Sequence, residues 1–265
     1  MKFIHLTDTH LVARGDLLHG MDPASSLERC MHSIATQHAD AAFCVLTGDV
    51  ADAGNPEAYR AVHEILARAP MPVHVIPGNH DDRDAFVTAF THAPRDEHGF
   101  VQHAFRHEGS TFVLLDTLEP ARGSGGAFCE RRARWLTQRL NEAGSDPVYL
   151  FMHHPPFHIG VPALDRIAVM DPGPFTRALE GRDNIRHLFF GHVHRPVSGQ
   201  WRGISFSTLY GTNHQTRFDT SETDYLAYTA EPPAYAVVLA DRDTLVVHNV
   251  LFEEDDADIR DGRPG

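Results

Sequence analysis

The chain has 265 residues, 42% of them hydrophobic, which suits one large α/β domain with a full core. Its formal net charge of −13 would repel the phosphates of DNA or RNA, so we expect no nucleic acid polymer as a partner. No apolar run approaches the ~20 residues that span a bilayer, and we expect no membrane contact. Three cysteines and a first segment too short for a signal-peptide core predict a cytoplasmic protein with reduced thiols.

The chain begins with a predicted strand, Lys2–Leu6, which is followed at once by Asp8 and His10. In an extended segment, residues two apart point the same way, so these side chains can reach one metal ion from the same side. The alternative is a turn aspartate beside an incidental histidine, because Asp-x-His is a common sequence. A loop and a predicted helix, Pro23–Gln37, follow.

The second predicted strand is a short apolar run at residues 41–46, typical of a strand buried on both faces of a parallel sheet. Gly48 lets the backbone leave the sheet sharply, which delivers Asp49 to the carboxyl end of the strand. Open α/β sheets bind their ligands at that end. The alternative is an aspartate that caps the next loop. Asn55 and Pro56 then predict the start of an amphipathic helix.

The third predicted strand, Val73–Ile76, ends in a Pro-Gly turn that presents Asn79, His80 and Asp81 in succession. The amide oxygen of Asn79 is an acceptable ligand for a hard metal ion. The adjacent His80 leaves the backbone in another direction, so it can face a substrate. The alternative is an Asx-type turn that holds no ligand.

Histidines follow two later strands in the same way. The predicted strand 147–152 ends in a His-His pair that begins at His153, and Ile185–Phe190 is followed by His192 and His194. One residue separates the last two histidines, so we expect them to point to one side, where each can donate a nitrogen to a different ion of a pair.

The remaining predicted elements are a helix at 131–142 and strands at 100–107, 111–116, 197–201, 204–208, 235–240 and 244–250. The irregular stretch 157–173 is a candidate lid. Residues 1–252 contain no linker and no internal repeat, so we expect one domain. An acidic, disordered tail is predicted at 253–265.

Together these motifs resemble those of the calcineurin-like metallophosphoesterases, from Asp8 to His214. The resemblance implies an α/β fold, a four-layer α/β/β/α sandwich of two mixed sheets, with two divalent metal ions between the sheets. The implied ligands are Asp8, His10, Asp49 and His194 for the first ion, and Asp49, Asn79, His153 and His192 for the second. Asp49 would bridge the ions, because one carboxylate has two oxygens. Nitrogen and oxygen ligands allow Fe, Mn, Zn or Co.

Residues around these ligands indicate a branch of the family. Protein phosphatases continue as Gly-Asp-x-x-Asp-Arg-Gly and Asn-His-Glu, where this chain has Ala53 for the arginine and Asp81 for the glutamate. Purple acid phosphatases have a tyrosine ligand where this chain has Asp52. The best resemblance is to class III cyclic-nucleotide phosphodiesterases and glycerophosphodiesterases, through residues 54–59, 152–156 and 207–212.

That group implies hydrolysis of small phosphodiesters, 3′,5′-cyclic AMP or glycerophosphodiesters, by attack of a metal-bound hydroxide. His80 would protonate the leaving alkoxide, and Asp52 would orient His80. Contacts to the substrate would come from Asn79, His80 and His214. Few arginines or lysines lie near the motifs, which favours a diester over a monoester dianion. A phosphomonoesterase and a non-catalytic metal-binding scaffold are the alternatives, and a homo-oligomer is left open.

Overall fold

Two mixed β-sheets pack face to face in the structure, a computed structural model that describes residues 1–222 and 225–253. In chain order the strands are β1 (Lys2–Leu6), β2 (Cys44–Thr47), β3 (Val73–Ile76), β4 (His103–His107), β5 (Ser110–Leu115), β6 (Val148–Met152), β7 (Ile185–Phe190), β8 (Ser198–Trp201), β9 (Ile204–Ser207), β10 (Gln215–Thr216), β11 (Tyr228–Thr229), β12 (Ala234–Ala240) and β13 (Leu245–Leu251). The helices are α1 (Pro23–Gln37), α2 (Pro56–Leu66), α3 (Arg83–Ala89), α4 (Glu130–Ala143), α5 (Pro162–Asp165) and α6 (Gly173–Leu179).

The first sheet has the strand order β13-β12-β1-β2-β3, in which β1, β2 and β3 are parallel and β12 pairs antiparallel with β1. The second has the order β4-β5-β6-β7-β9-β8, in which β5, β6, β7 and β9 are parallel. The short strands β10 and β11 form a separate antiparallel ribbon. Each sheet therefore presents the carboxyl ends of several parallel strands at one edge.

Side-chain alternation along the strands separates the layers. Phe3 lies between the sheets, with its ring centroid 5.7 Å from that of Phe112, while the adjacent Ile4 packs with the helices of the first sheet. The second sheet packs on α4 and α6 through residues such as Leu136 and Phe175. Because neighbouring residues in a strand face opposite sides, each central strand contributes to two hydrophobic layers. The predicted four-layer α/β/β/α sandwich of two mixed sheets is confirmed.

Two predicted strands begin three residues later than expected. The strand predicted at 41–46 begins at Cys44, because the Ala41 amide closes a turn by donating to the His38 carbonyl at 2.9 Å. The strand predicted at 100–107 begins at His103, because the Asp96 carboxylate draws the preceding residues into a loop, accepting from the Phe100 amide at 2.9 Å.

The last predicted segment, 253–265, falls largely outside the described residues. Its first residue, Glu253, accepts a hydrogen bond from the Arg29 guanidinium at 3.1 Å. The prediction of a disordered tail therefore concerns residues 254–265, outside the described part of the chain, and the single-domain boundary at residue 252 also stays a prediction.

Candidate metal centre and active site

Five of the seven predicted ligands share an unusual backbone conformation. Asp8, His10, Asp49, His192 and His194 have φ values of +55°, +44°, +48°, +64° and +49°. A positive φ is uncommon outside glycine and concentrates at functional sites, where the surrounding structure must hold it. We expected an extended backbone to point Asp8 and His10 to one side, and likewise His192 and His194. That expectation is therefore wrong. They converge through left-handed turns just beyond the strands.

Backbone hydrogen bonds between loops hold these turns. The amide of Asp8 donates to the Gly48 carbonyl at 3.1 Å, and that of His10 donates to the Asp49 carbonyl at 2.8 Å. The His192 amide donates to the Asp8 carboxylate at 3.0 Å, which joins the two sheets. The loops after β1, β2 and β7 consequently form one rigid frame.

Four predicted ligands form a first cluster. Asp8, His10, Asp49 and His194 each offer one ligand atom within 4.8 Å of the others, and all four are buried. The Nε2 atoms of His10 and His194 lie 3.1 Å apart, and His194 Nε2 lies 3.2 Å from Asp8 Oδ1. Converging imidazole nitrogens and carboxylate oxygens are the donor set of a transition-metal site.

A second cluster shares Asp49 with the first. His153 Nε2 lies 3.3 Å from Asp49 Oδ2 and 3.1 Å from Asn79 Oδ1. The ring of His192 lies 5.1 Å from that of His153, and its buried Nε2 has no hydrogen-bond partner among the described residues. An unpartnered buried nitrogen carries an energetic cost that a metal ion at that position would remove. Asp49 thus contacts both clusters, as expected of a bridging carboxylate.

Carbonyl groups orient two of these histidines. His153 Nδ1 lies 2.7 Å from the Thr47 carbonyl, and His194 Nδ1 lies 2.8 Å from the His214 carbonyl. A carbonyl oxygen can only accept, so each Nδ1 carries a proton, and in the neutral ring the lone pair that a metal ion would bind is on Nε2. This is the tautomer that metal binding at Nε2 requires.

Charges in the clusters also fit a bound cation. Burial would raise the pKa of Asp8, but the neighbouring His194 and His10 hold it well below its ordinary value. Burial would lower the pKa of His10, but the nearby carboxylates of Asp52, Asp8 and Asp49 raise it to about 10. Ionised carboxylates thus draw protons onto buried histidines. A metal ion can take the place of those protons, because it also requires ionised carboxylates and neutral imidazoles.

His80 lies at the exposed edge of the first cluster, as the sequence analysis expects of a residue that faces the substrate. Its side chain is 38% exposed, its ring lies 4.6 Å from that of His10, and its Nδ1 lies 2.7 Å from Asp52 Oδ1. The nearby His10 and the hydrogen bond with His80 lower the pKa of Asp52, which therefore stays ionised. The expected pairing of His80 with Asp52 is present.

His214, predicted to contact the substrate, lies beside the first cluster. Its ring is 4.6 Å from that of His194 and 4.8 Å from that of His10, and the residue is 2% exposed. Its carbonyl orients His194. Its side-chain role stays a prediction.

His154 lies near His153 and His192 but is already engaged. Its Nδ1 lies 2.8 Å from Thr117 Oγ1 and its Nε2 lies 3.2 Å from the Ser124 carbonyl. Burial and the neighbouring His192 hold its pKa well below the ordinary value, so the ring is neutral. Its hydrogen bonds suit it to supporting the ligands more than to binding an ion.

Asp81, which the sequence pattern did not single out for any role, positions two of the site loops. Its buried carboxylate accepts hydrogen bonds from the amides of Val50 and Ala51, each at 3.1 Å, and of Gly78 at 2.8 Å. The Tyr59 hydroxyl donates to it at 2.9 Å. Asp81 thereby ties the loop that carries Asp49 to the loop that carries Asn79. Its position two residues after a predicted ligand was the available hint.

Gly78 permits the close approach of the two loops. A Cβ at this position would overlap Asp49 and the His153 ring, so only glycine fits between these two predicted ligands.

The candidate lid contacts the site loops. Val161 and Leu164 pack with Val193, and the Val169 amide donates to the Pro155 carbonyl at 3.0 Å. Residues 157–173 thus border the centre, and closure of this segment stays a prediction.

Comparison with known proteins agrees with this geometry. The calcineurin-like phosphoesterase family profile matches residues 1–196. The chain is 42% identical to a probable cyclic nucleotide phosphodiesterase of Rhodopseudomonas palustris, over 96% of this chain and 94% of the relative. It is 27% identical to a glycerophosphodiester phosphodiesterase of Enterobacter lignolyticus, over 88% of this chain and 85% of that protein. A dimetal phosphatase from Danio rerio shares the fold, with a TM-score of 0.72, 16% identity and coverage of 94% and 95% of the two chains.

The fold and the two clusters are those of a metal-dependent phosphoesterase. The chain belongs to the calcineurin-like phosphoesterase family. Its resemblance to the cyclic-nucleotide and glycerophosphodiester branch is confirmed by these relatives. Among the described residues, no helix is both long and apolar enough to cross a membrane.

Proposed function

We propose that this protein is a phosphodiesterase with two divalent metal ions, which hydrolyses small phosphodiesters such as 3′,5′-cyclic AMP or glycerophosphodiesters. The observation that carries the proposal is the position of Asp49, whose carboxylate contacts His10 in the first cluster at 3.5 Å and His153 in the second at 3.3 Å. The relatives named for these activities support the substrate class.

The chain offers a complete ligand set for each ion. Asp8, His10, Asp49 and His194 would hold the first, and Asp49, Asn79, His153 and His192 the second. When bound, such a pair activates water as a nucleophile and neutralises charge on a transferring phosphoryl group. The mixed nitrogen and oxygen donors suit Fe, Mn, Zn or Co.

His80 would deliver a proton to the departing alkoxide. Its ring borders the first cluster while more than a third of its side chain stays exposed, so a bound diester can reach it. Asp52 would hold the ring through Nδ1, which leaves Nε2 free for the substrate. Asn79 and His214 would complete the contacts to the substrate.

A diester fits the local charge better than a monoester dianion. Arg195, which directly follows the predicted ligand His194, donates to Glu231 and to the Thr216 carbonyl, each at 2.8 Å. Its charge is therefore partly compensated. A phosphomonoesterase is disfavoured on this ground. A non-catalytic scaffold is disfavoured because the chain retains every predicted ligand together with His80.

The deciding experiment measures turnover by metal-free protein reloaded with Mn²⁺, Zn²⁺, Co²⁺ or Fe²⁺. Cyclic AMP, glycerophosphocholine and a phosphomonoester are compared side by side. We expect both diesters to exceed the monoester in kcat/KM with at least one metal. Turnover of the monoester alone would support the phosphomonoesterase, and no turnover with any metal would support the scaffold. Metal analysis of the same samples determines the number of bound ions, and light scattering determines whether the protein is a homo-oligomer.

We also propose a cytoplasmic location.

A further inference from the structure

A row of aromatic rings leads outward from the first cluster to the surface. The ring of His214 lies 4.8 Å from that of His10, and the ring of Tyr228 lies 4.7 Å from that of His214. His19 contacts both outer rings, at 4.7 Å from His214 and 4.6 Å from Tyr228. Exposure rises along the row, from 1% at His10 and 2% at His214 to 41% at Tyr228.

Two separate turns hold the outer rings. The amide of Leu18 donates to the Met21 carbonyl and the Met21 amide to the Leu18 carbonyl, at 2.9 and 3.0 Å. His19 and Gly20 between them have φ values of +52° and +81°, the pattern of a type I′ hairpin turn. Tyr228 lies on β11, which pairs with β10 immediately after His214. Both rings are therefore presented by ordered backbone.

We propose that Tyr228, supported by His19 and His214, is the stacking platform for the base of a cyclic nucleotide whose phosphate lies at the metal centre. This inference rests on the proposed function and narrows its substrate class. A base is planar and stacks on an aromatic face, whereas a glycerol group has no planar surface. The imidazole of His214 lies between Tyr228 and the cluster residue His10. In a cyclic nucleotide the ribose lies between the base and the phosphate, so a phosphate at the metal centre would place the base near Tyr228.

The primary test is equilibrium binding by calorimetry to the Mn²⁺-loaded protein. AMP and ribose 5-phosphate are the probes, since they differ only in the base. We expect AMP to bind about tenfold more tightly, which corresponds to one base–aromatic stack. Tyr228→Leu should remove most of that difference and leave ribose 5-phosphate unchanged, while Tyr228→Phe should retain it.

Phe218 provides the matched control. It is 64% exposed in the same 215–229 segment, but its ring lies beneath Arg195, 5.9 Å from the guanidinium carbon. Phe218→Leu should leave both affinities unchanged. Steady-state assays of Tyr228→Leu should show a higher KM for cyclic AMP with little change in kcat, and no change with glycerophosphocholine.

Equal binding of AMP and ribose 5-phosphate by the wild-type protein would overturn the inference. Unchanged AMP affinity in Tyr228→Leu would also overturn it. If Tyr228→Leu changes the oligomeric mass in light scattering but leaves the AMP affinity unchanged, Tyr228 belongs to an interface between copies. Absence of diester turnover together with a Tyr228-dependent preference for AMP would instead overturn the proposed function and retain the nucleotide platform.

Discussion

His80 Nδ1 lies 2.7 Å from Asp52 Oδ1, and the same carboxylate oxygen lies 3.7 Å from Nδ1 of the buried His10. Asp52 thus orients His80 through a hydrogen bond, and its negative charge lies close to the predicted metal ligand His10. His10 is a predicted metal ligand and His80 a predicted substrate contact. Asp52 is near neither histidine in the chain, so sequence proximity does not reveal that it lies beside both.

His80→Ala should reduce hydrolysis most for substrates with a poor leaving group. An alkoxide needs a proton as it departs, whereas p-nitrophenolate does not. We expect kcat for a diester with an alcohol leaving group to fall by ~10²-fold more than kcat for a p-nitrophenyl diester. Metal content, measured in parallel, should be unchanged.

Equal losses of kcat for both substrates would indicate that His80 stabilises charge and is not an acid. Asp52→Asn is the matched variant, since it retains the size of the orienting side chain and removes its charge. It should produce a smaller loss with the same dependence on the leaving group.

Asp49→Ala should weaken both metal sites at once, because the carboxylate contacts both clusters. Asn79→Ala is the control, since Asn79 belongs to the second cluster, where its Oδ1 lies 3.1 Å from His153 Nε2. After dialysis against a chelator gradient, elemental analysis should show loss of both ions in Asp49→Ala and of mainly one in Asn79→Ala. Two retained ions and normal turnover in Asp49→Ala would contradict a bridging role.

Asp81→Ala should destabilise the metal-free protein by about 3 kcal/mol in the free energy of unfolding, because several buried donors would lose their acceptor. Tyr59→Phe removes one of these hydrogen bonds together with the acceptor of the Asp82 amide, so it should cost about 2 kcal/mol. Urea unfolding followed by circular dichroism measures both. A cost for Asp81→Ala no larger than that for Tyr59→Phe would show that the carboxylate does not tie the two loops together.

The metal-free protein should lose stability as pH rises from about 6.5 to 10. Burial opposes protonation of His10 and His153, but the nearby carboxylates of Asp52 and Asp8 raise the pKa of His10 to about 10, and the charge on Asp49 raises that of His153 to about 9. A histidine whose pKa is raised by folding stabilises the folded state. This contribution is complete at pH values below the unfolded-state pKa, near 6.5, and it is lost as the pH rises through the folded-state pKa.

Thermal unfolding of metal-free and Mn²⁺-loaded protein across this pH range tests the prediction. The loaded protein should show a smaller decrease in Tm, because the ions have already replaced the protons. A flat Tm profile for the metal-free protein would contradict the protonation of His10 and His153 in the folded state.

Local sequence patterns predict the order of the strands and helices and the approximate positions of the ligands. Apolar runs of strand length, each followed by Asp, Asn or His, predict which strand ends carry chemistry, because side-chain alternation and strand-breaking residues are local properties. The position of Asp49 after the strand Cys44–Thr47 and of His192 after Ile185–Phe190 follows from such local patterns. The resemblance to a family then grouped the motifs into two sites.

Only the tertiary structure decided how those side chains meet. The left-handed backbone at Asp8 and Asp49 depends on hydrogen bonds between loops that are some forty residues apart in the chain, so no local pattern encodes it. Tyr228 meets His19 for the same reason, since the packing of one turn against a distant ribbon sets that contact. Long-range contacts arise from the fold as a whole, and they convert a set of strand-end motifs into a site.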